Sequence, residues 1–143
     1  VTGVQTCALP IFVDLDDFKP VNDRHGHTAG DDVLRVTAGR LRECLRSTDT
    51  VARFGGDEFV IVLDGLTDDA DVSRIASKIN GTVARPIAPV WSTEPGTPDA
   101  LIGCSIGIAV FPRDGDGADE LIRLADAAMY QAKKTNRGGY VQC

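Results

Sequence analysis

The feature that most constrains the fold is a pair of glycines between two runs of β-forming residues. Residues 50–54 are half apolar, and residues 59–63 read Phe-Val-Ile-Val-Leu, the pattern of a buried strand. Glycines at 55–56 predict a tight hairpin, because such turns need backbone angles that glycine adopts easily. Asp57 and Glu58 follow the two glycines directly. Acidic residues at a hairpin tip indicate a metal ion or a cationic partner.

A second acidic cluster follows a short apolar run near the start of the chain. Residues 11–15 predict a buried strand, which Asp14 interrupts and which Asp16 and Asp17 follow. A carboxylate at the end of a buried strand is costly unless it is paired or bound to a metal. A solvated acidic turn would explain Asp16 and Asp17 well and Asp14 poorly. The sequence therefore singles out Asp14 as a candidate metal ligand.

Composition limits the partners of the chain. Its 143 residues suit one domain with a hydrophobic core, and a net charge of −6 argues against a general nucleic-acid binder. No apolar run is long enough to span a membrane, so we expect no membrane contact from this segment. The four cysteines are far apart and form no C-x-x-C pair, which favours buried or free thiols in a reducing cytoplasm.

The remaining periodicities predict an α/β (α+β) fold. Three apolar stripes at helical spacing and two further β-type runs are present, at residues 31–46, 68–83, 118–134, 101–111 and 140–142. The order of elements is β-α-β-β-α-β with α-β appended. In a split β-α-β arrangement, strand three fills the gap between strands one and two and lies antiparallel to strand one. The hairpin tip then lies at the end of strand one, so we expect Asp57 to meet Asp14.

The predicted strand at 101–111 has one bulky face and one small face. The small face carries Gly103, Ser105, Gly107 and Ala109. A strand face without bulky side chains indicates that another element packs very close to it.

These residues resemble the GGDEF family, the bacterial diguanylate cyclases. Residues 55–59 read Gly-Gly-Asp-Glu-Phe, and residues 14–31 are similar to the family pattern D-x-D-x-F-K-x-x-N-D-x-x-G-H-x-x-G-D. The family's S-I-G-I-A strand matches residues 105–109, and A-K-x-x-x-R matches residues 132–137, although Asn136 and Gly138 depart from the usual Gly-Arg-Asn ending. The resemblance implies a palm-like fold shared with nucleotidyl cyclases. It also implies condensation of two GTP into cyclic di-GMP, with release of pyrophosphate, across a homodimer.

The resemblance also implies roles for individual residues. Mg²⁺, or Mn²⁺, would be held by Asp14, Asp57 and the backbone carbonyl of Leu15, with Asp57 also the proton acceptor. Asn22 and Asp31 would read guanine. Lys19 would be catalytic together with Asp57. The predicted contacts to substrate are, besides Asn22 and Asp31, Phe18, Lys19, Gly55, Gly56, Lys133 and Arg137. Cyclic di-GMP would inhibit the enzyme at an R-x-x-D site formed by Arg46 and Asp49.

Simpler interpretations stay open for several of these residues. Asp31 falls in the first turn of the predicted helix, where the helix dipole alone favours an acid. Arg46, Lys133 and Arg137 fall at predicted helix C-termini, where cations are favoured. At the level of function, the alternatives are a catalytically inactive module that binds GTP or cyclic di-GMP, and a palm domain that uses another nucleotide such as ATP.

We interpret residues 1–11 as a translated sequencing adapter, and residues 12–143 as a GGDEF domain without its N-terminal helix and D-x-L-T-x-L-x-N-R segment. Pro10 would remove a backbone donor from the predicted first strand. We therefore expect a less stable and less active domain than a complete one. We expect it in the cytoplasm, alone or as part of a larger membrane-anchored sensor protein.

Overall fold

The structure, a computed structural model, describes residues 8–66 and 68–143. These residues form five strands and four helices, namely β1 (Ala8–Asp16), α1 (Phe18–His25), α2 (His27–Glu43), β2 (Thr50–Gly55), β3 (Glu58–Asp64), α3 (Asp69–Val83), β4 (Gly103–Ile108), α4 (Ala118–Thr135) and β5 (Tyr140–Gln142). The predicted class is confirmed: helices flank one mixed sheet. None of these helices has the length and apolar character that crossing a membrane requires.

The strand order in the sheet is β2-β3-β1-β4-β5. β3 lies between β2 and β1 and runs antiparallel to both, so β1 and β2 are parallel to each other. β4 is antiparallel to β1, and β5 is parallel to β4. The predicted insertion of strand three between strands one and two is confirmed, and it brings the β2–β3 turn to the C-terminal end of β1.

The central strand β1 separates two cores. Its side chains Leu9, Ile11, Val13 and Leu15 are at most 1% exposed and pack with buried residues of α2 and α3. Phe12 points to the opposite face and packs with buried residues of α4. Burial of both faces explains why this strand is apolar almost throughout and why a charge near its end needs a partner.

β1 begins at Ala8, three residues before the predicted start, so residues 8–11 of the proposed lead-in form its first part. Residues 1–7 lie outside the described part of the chain. Ala109 donates a hydrogen bond to the carbonyl of Pro10 (3.2 Å), so the ring nitrogen of Pro10 faces β4 as well. It does so just beyond Ile11–Ile108, the last pair of the β1–β4 ladder. The missing N–H of Pro10 therefore leaves the Pro10–Ala109 pair with one backbone hydrogen bond instead of two, at the end of the ladder.

One helix was absent from the sequence-based prediction. α1 precedes α2, and Gly26, with φ of +86°, forms the turn between them. Pro20 and Gly26 are typical of turns and loops, so the sequence pattern does not predict this short helix. Pro20 lies in the first turn of α1, where a backbone N–H would have no intrahelical acceptor, so its absence costs no helix hydrogen bond.

The small face of β4 packs directly against α4, as predicted. A methyl group at Gly107 would lie 2.0 Å from the backbone oxygen of Ala125 and 2.1 Å from the backbone nitrogen of Met129. β4 itself is shorter than predicted and covers Gly103–Ile108, although Ala109 and Phe111 still donate to backbone oxygens of β1. The contact holds α4, with the cations near its C-terminal end, against the centre of the sheet.

We expect Gly107→Ala to lower the free energy of unfolding by about 2–3 kcal/mol, because the helix backbone must move to admit the methyl group. Gly81→Ala in α3 is the control, since no atom in the described part of the chain lies within 4 Å of the added carbon. That control should raise the free energy of unfolding by up to about 1 kcal/mol. Urea unfolding of the two variants and the wild type measures both effects. Equal stability of the two variants would contradict the close packing of α4 on β4.

Candidate active site

The β2–β3 turn lies against the end of β1. The backbone N–H of Leu15 donates to the carbonyl of Asp57 (3.1 Å), and Asp14 is the register partner of Glu58. The turn is shifted by one residue from the prediction. Gly55 ends β2 and pairs with Glu58, so Gly56 and Asp57 form the two-residue loop. Asp57 is therefore in the turn rather than after it.

Gly56 allows this turn because its φ is +45°, a backbone conformation that glycine adopts without strain. The guanidinium of Arg53 fixes the loop by donating to the carbonyl of Gly56 (2.9 Å). Nothing lies within 4 Å of the positions that Cβ atoms would occupy at Gly55 and Gly56. The described residues thus leave space beside the turn for a ligand to approach its backbone.

Three carboxylates are crowded at this end of the sheet. Burial, and then the charge of Asp14, raise the pKa of Asp57. The same two causes, in the same order, raise the pKa of Glu58, with Asp126 contributing next. Asp57 and Glu58 therefore lose part of their preference for the charged form, which a nearby cation would restore.

Lys133 supplies a cation at this place. Its Nζ lies 2.7 Å from Oδ1 of Asp14 and 3.2 Å from the backbone oxygen of Leu15. Two of the three predicted metal ligands thus converge on one ammonium group. Because carboxylate and carbonyl oxygens are the ligands that Mg²⁺ prefers, Asp14, Leu15 and Asp57 fit a hard divalent ion. Within the described residues, no cluster of three His, Cys, Asp or Glu side chains could hold a metal.

Asp16 belongs to the site, so the interpretation of Asp16 as part of a solvated acidic turn is wrong. It is 3% exposed and accepts from the hydroxyl of Ser105, at 3.0 Å to each carboxylate oxygen. Lys133 and Arg137 each approach it to 3.9 Å, and Arg137 also pairs with Asp17 at 2.9 Å. The signal that could have found this pair is the hydroxyl of Ser105 on the small face of β4. Asp16 draws both cations of α4 and its C-terminal turn toward the end of β1.

The two residues expected to read guanine lie on the α1–α2 hairpin. Asn22 is half-buried on α1, and Asp31 is exposed on α2. α2 starts at His27, so Asp31 lies in the second turn, and the first turn contains no acid. The prediction of Asp31 as a first-turn acid is therefore wrong, and the helix dipole does not explain it.

Asp31 opens onto a groove of about 340 Å³ between α2 and the β2–β3 hairpin. The groove combines apolar and cationic side chains. Its lining includes Leu34, Phe59, Arg42 and Arg53. Such a mixture suits a flat, polar base that carries an anionic group.

The other two predicted substrate contacts on α1 differ in exposure. Phe18 is 8% exposed and belongs to the main core, where it anchors the start of α1. Its ring packs inward, so the structure gives it a packing role. Lys19, the next residue, is exposed at the same helix terminus.

Arg46 and Asp49 bind each other. Asp49 is 3% exposed at its side chain and accepts from the backbone N–H of Arg46 (2.8 Å) and from its guanidinium (3.2 and 3.3 Å). Arg46 also donates to the backbone oxygen of Asp64, and the N–H of Asp64 donates to Asp49 (3.4 Å). Asp49 thus fixes the segment between α2 and β2, while the Arg46 side chain remains 54% exposed.

The chain is similar to several proteins described as diguanylate cyclases. A family model described as diguanylate cyclase, GGDEF domain, matches residues 3–139. The bifunctional diguanylate cyclase/cyclic di-GMP phosphodiesterase MucR of Pseudomonas aeruginosa is 42% identical over 130 residues, which cover 91% of this chain and 18% of MucR. The diguanylate cyclase TpbB of the same species is 44% identical over 128 residues, 90% of this chain and 28% of TpbB. The chain thus spans less than a third of either relative.

Solved structures agree with these relatives. The GGDEF domain of TpbB from Pseudomonas aeruginosa aligns with a TM-score of 0.88 at 41% identity, covering 96% of this chain and 82% of that one. The GGDEF domain of DgcB from Caulobacter crescentus, solved in complex with cyclic di-GMP, aligns with a TM-score of 0.84 at 27% identity. That alignment covers 96% of this chain and 78% of the DgcB chain.

We expect Asp49→Asn to lower the free energy of unfolding at pH 7. Burial opposes ionisation of Asp49, but hydrogen bonds from Arg46 outweigh it and hold the pKa below its usual value of 3.8. The carboxylate therefore stabilises the fold above pH 3.8, and this contribution is lost as the pH falls through the lowered pKa. The difference between the variant and the wild type should accordingly shrink in acid.

Denaturant unfolding at several pH values checks this prediction. Asp32→Asn is the matched control. Asp32 also pairs with an arginine three residues away, Arg35, but that arginine side chain is 75% exposed. Exposed ion pairs contribute little, so the control should have little effect at any pH. A pH-independent difference for Asp49→Asn would rule out the Arg46–Asp49 bond as its cause.

Proposed function

The chain belongs to the GGDEF-domain family of diguanylate cyclases, and on that premise we propose that it condenses two GTP molecules into cyclic di-GMP. The observation that carries the proposal is the meeting of Asp14, Leu15 and Asp57, where Lys133 binds two of the three oxygen ligands. In the reaction, each 3′-hydroxyl attacks the α-phosphorus of the other GTP. A new P–O bond forms, the bond to the bridging oxygen breaks, and each GTP releases pyrophosphate.

Asp14, the carbonyl of Leu15 and Asp57 would hold a divalent cation, Mg²⁺ or Mn²⁺. Such an ion lowers the pKa of an attacking hydroxyl and neutralises charge on the transferring phosphoryl group. Asp57 would accept the hydroxyl proton, a role that suits a carboxylate whose pKa is raised by burial and by Asp14.

The remaining residues would bind and orient the nucleotide. Asn22 and Asp31 would read the base from the α1–α2 hairpin, beside the groove that Asp31 lines. Lys19, Lys133 and Arg137 would contact phosphates, and the open backbone at Gly55 and Gly56 would allow a phosphate to lie close to the turn.

Two further parts of the proposal concern assembly and regulation. One domain carries one set of these ligands and so holds one GTP, whereas the product contains two nucleotides. We therefore propose that two copies act face to face as a homodimer. We also propose that cyclic di-GMP binds at Arg46 and Asp49. There, Asp49 would hold the loop, and the exposed Arg46 guanidinium would contact phosphate or guanine.

The test is incubation with GTP and Mg²⁺, followed by mass spectrometry of the nucleotides. The wild type should form cyclic di-GMP, and Asp57→Asn should form none, because the amide neither holds the ion as a carboxylate does nor accepts the proton. Asp119→Asn is the control, an exposed acid in the first turn of α4 that should leave product formation unchanged.

Without metal, Asp57→Asn should also raise the melting temperature at pH 8. The raised pKa of Asp57 means that its charged form is disfavoured in the folded state, and the amide removes that charge. Product from Asp57→Asn at the wild-type rate would refute the proposed role. GTP binding without product in the wild type would instead favour a receptor.

A further inference from the structure

Gly30 is an unusual residue for its position. It is buried in α2, where glycine weakens a helix relative to alanine. A methyl group at Gly30 would lie 1.9 Å from Oδ1 of Asn22 and 2.8 Å from its Cγ. The Asn22 side chain therefore lies in the space that any other residue at position 30 would fill. At Gly39, in the same helix, none of the described residues comes within 4 Å of the equivalent position.

This contact fixes which end of the Asn22 amide is available to a ligand. Oδ1 is enclosed and has no hydrogen-bond partner among residues 8–66 and 68–143. Nδ2 also makes no hydrogen bond within that part of the chain, but it is not among the enclosed atoms. The oxygen thus lies against Gly30, and the N–H₂ group remains free to donate.

We propose that Gly30 is a specificity-determining positioning residue, which seats the Asn22 amide so that its N–H₂ group, together with the carboxylate of Asp31, recognises guanine. The inference rests on the proposed function. Guanine offers acceptors at O6 and its ring nitrogens and donors at N1 and N2, which suit an amide donor and a carboxylate acceptor. Adenine carries an amine in place of O6 and has no N1–H. Because Gly30 and Asp31 are consecutive, one turn of α2 sets both groups.

The first test measures melting temperatures and needs no nucleotide. Gly39→Ala should raise the melting temperature through helix propensity alone. Gly30→Ala should give a similar rise in an Asn22→Ala background, where the space is empty. With Asn22 present, the rise should be smaller or become a fall, because the amide must leave its place. Equal rises in both backgrounds would overturn the proposed contact.

The second test measures binding of the α,β-methylene analogues of GTP and ATP, which cannot be condensed, in the presence of Mg²⁺. Gly30→Ala and Asn22→Ala should each weaken binding of the GTP analogue about tenfold and leave the ATP analogue unchanged. The double variant should bind no more weakly than Asn22→Ala alone, and Gly39→Ala should bind as the wild type does.

Two outcomes overturn the inference and can be told apart. If the wild type binds the two analogues equally, the proposed function is wrong and this inference is wrong with it. If the wild type prefers the GTP analogue and Gly30→Ala keeps that preference, only the positioning role of Gly30 is wrong. A further loss on adding Gly30→Ala to Asn22→Ala would also overturn it, because Gly30 would then act through another group.

Discussion

The antiparallel pairing of β1 with β3 is the constraint on which the site depends. The register Asp14–Glu58 and the hydrogen bond from Leu15 to Asp57 place the loop of one hairpin over the end of the central strand. A one-residue slip in this pairing would turn Asp14 toward the opposite face of the sheet. The register is held by an apolar strand buried on both faces, so the same packing that stabilises the fold also sets the distances between the acids.

Charge balance explains how such a concentration of acids is tolerated. Asp14 and Asp16 are both largely buried, and each has a cation within reach from Lys133, with Arg137 near Asp16. These cations come from the end of α4, and α4 is held in place by the absence of a side chain at Gly107. Close packing of α4 at the centre of the sheet therefore determines which cations neutralise the acids at the C-terminal end of β1.

The sequence was sufficient to predict the fold class, the position of β3 between β1 and β2, and the approach of Asp57 to Asp14, because apolar periodicity and one glycine pair determine them. The sequence was insufficient at α1. Pro20 and Gly26 are typical of loops, but Pro20 also fits the first turn of a helix, and Gly26 fits the turn that follows it. Ser105 is a polar residue on the small face of β4, but only the folded structure shows that its partner is Asp16, because the β1–β4 register places Ser105 opposite Asp14 and Gly103 opposite Asp16. The position of Lys133 in the chain likewise does not reveal which carboxylate it pairs with, because the pairing depends on distances in the folded structure.

A crystal structure with Mn²⁺ and a non-condensable GTP analogue would test the central claim most directly, because the anomalous signal of manganese locates the ion without reference to the protein. The account predicts a peak at about 2.0–2.3 Å from oxygens of Asp14, Leu15 and Asp57, with Lys133 moved toward the phosphates or Asp16. A well-occupied peak elsewhere, with Lys133 still bound to Asp14 and Leu15, would contradict the assignment of this site as the metal centre.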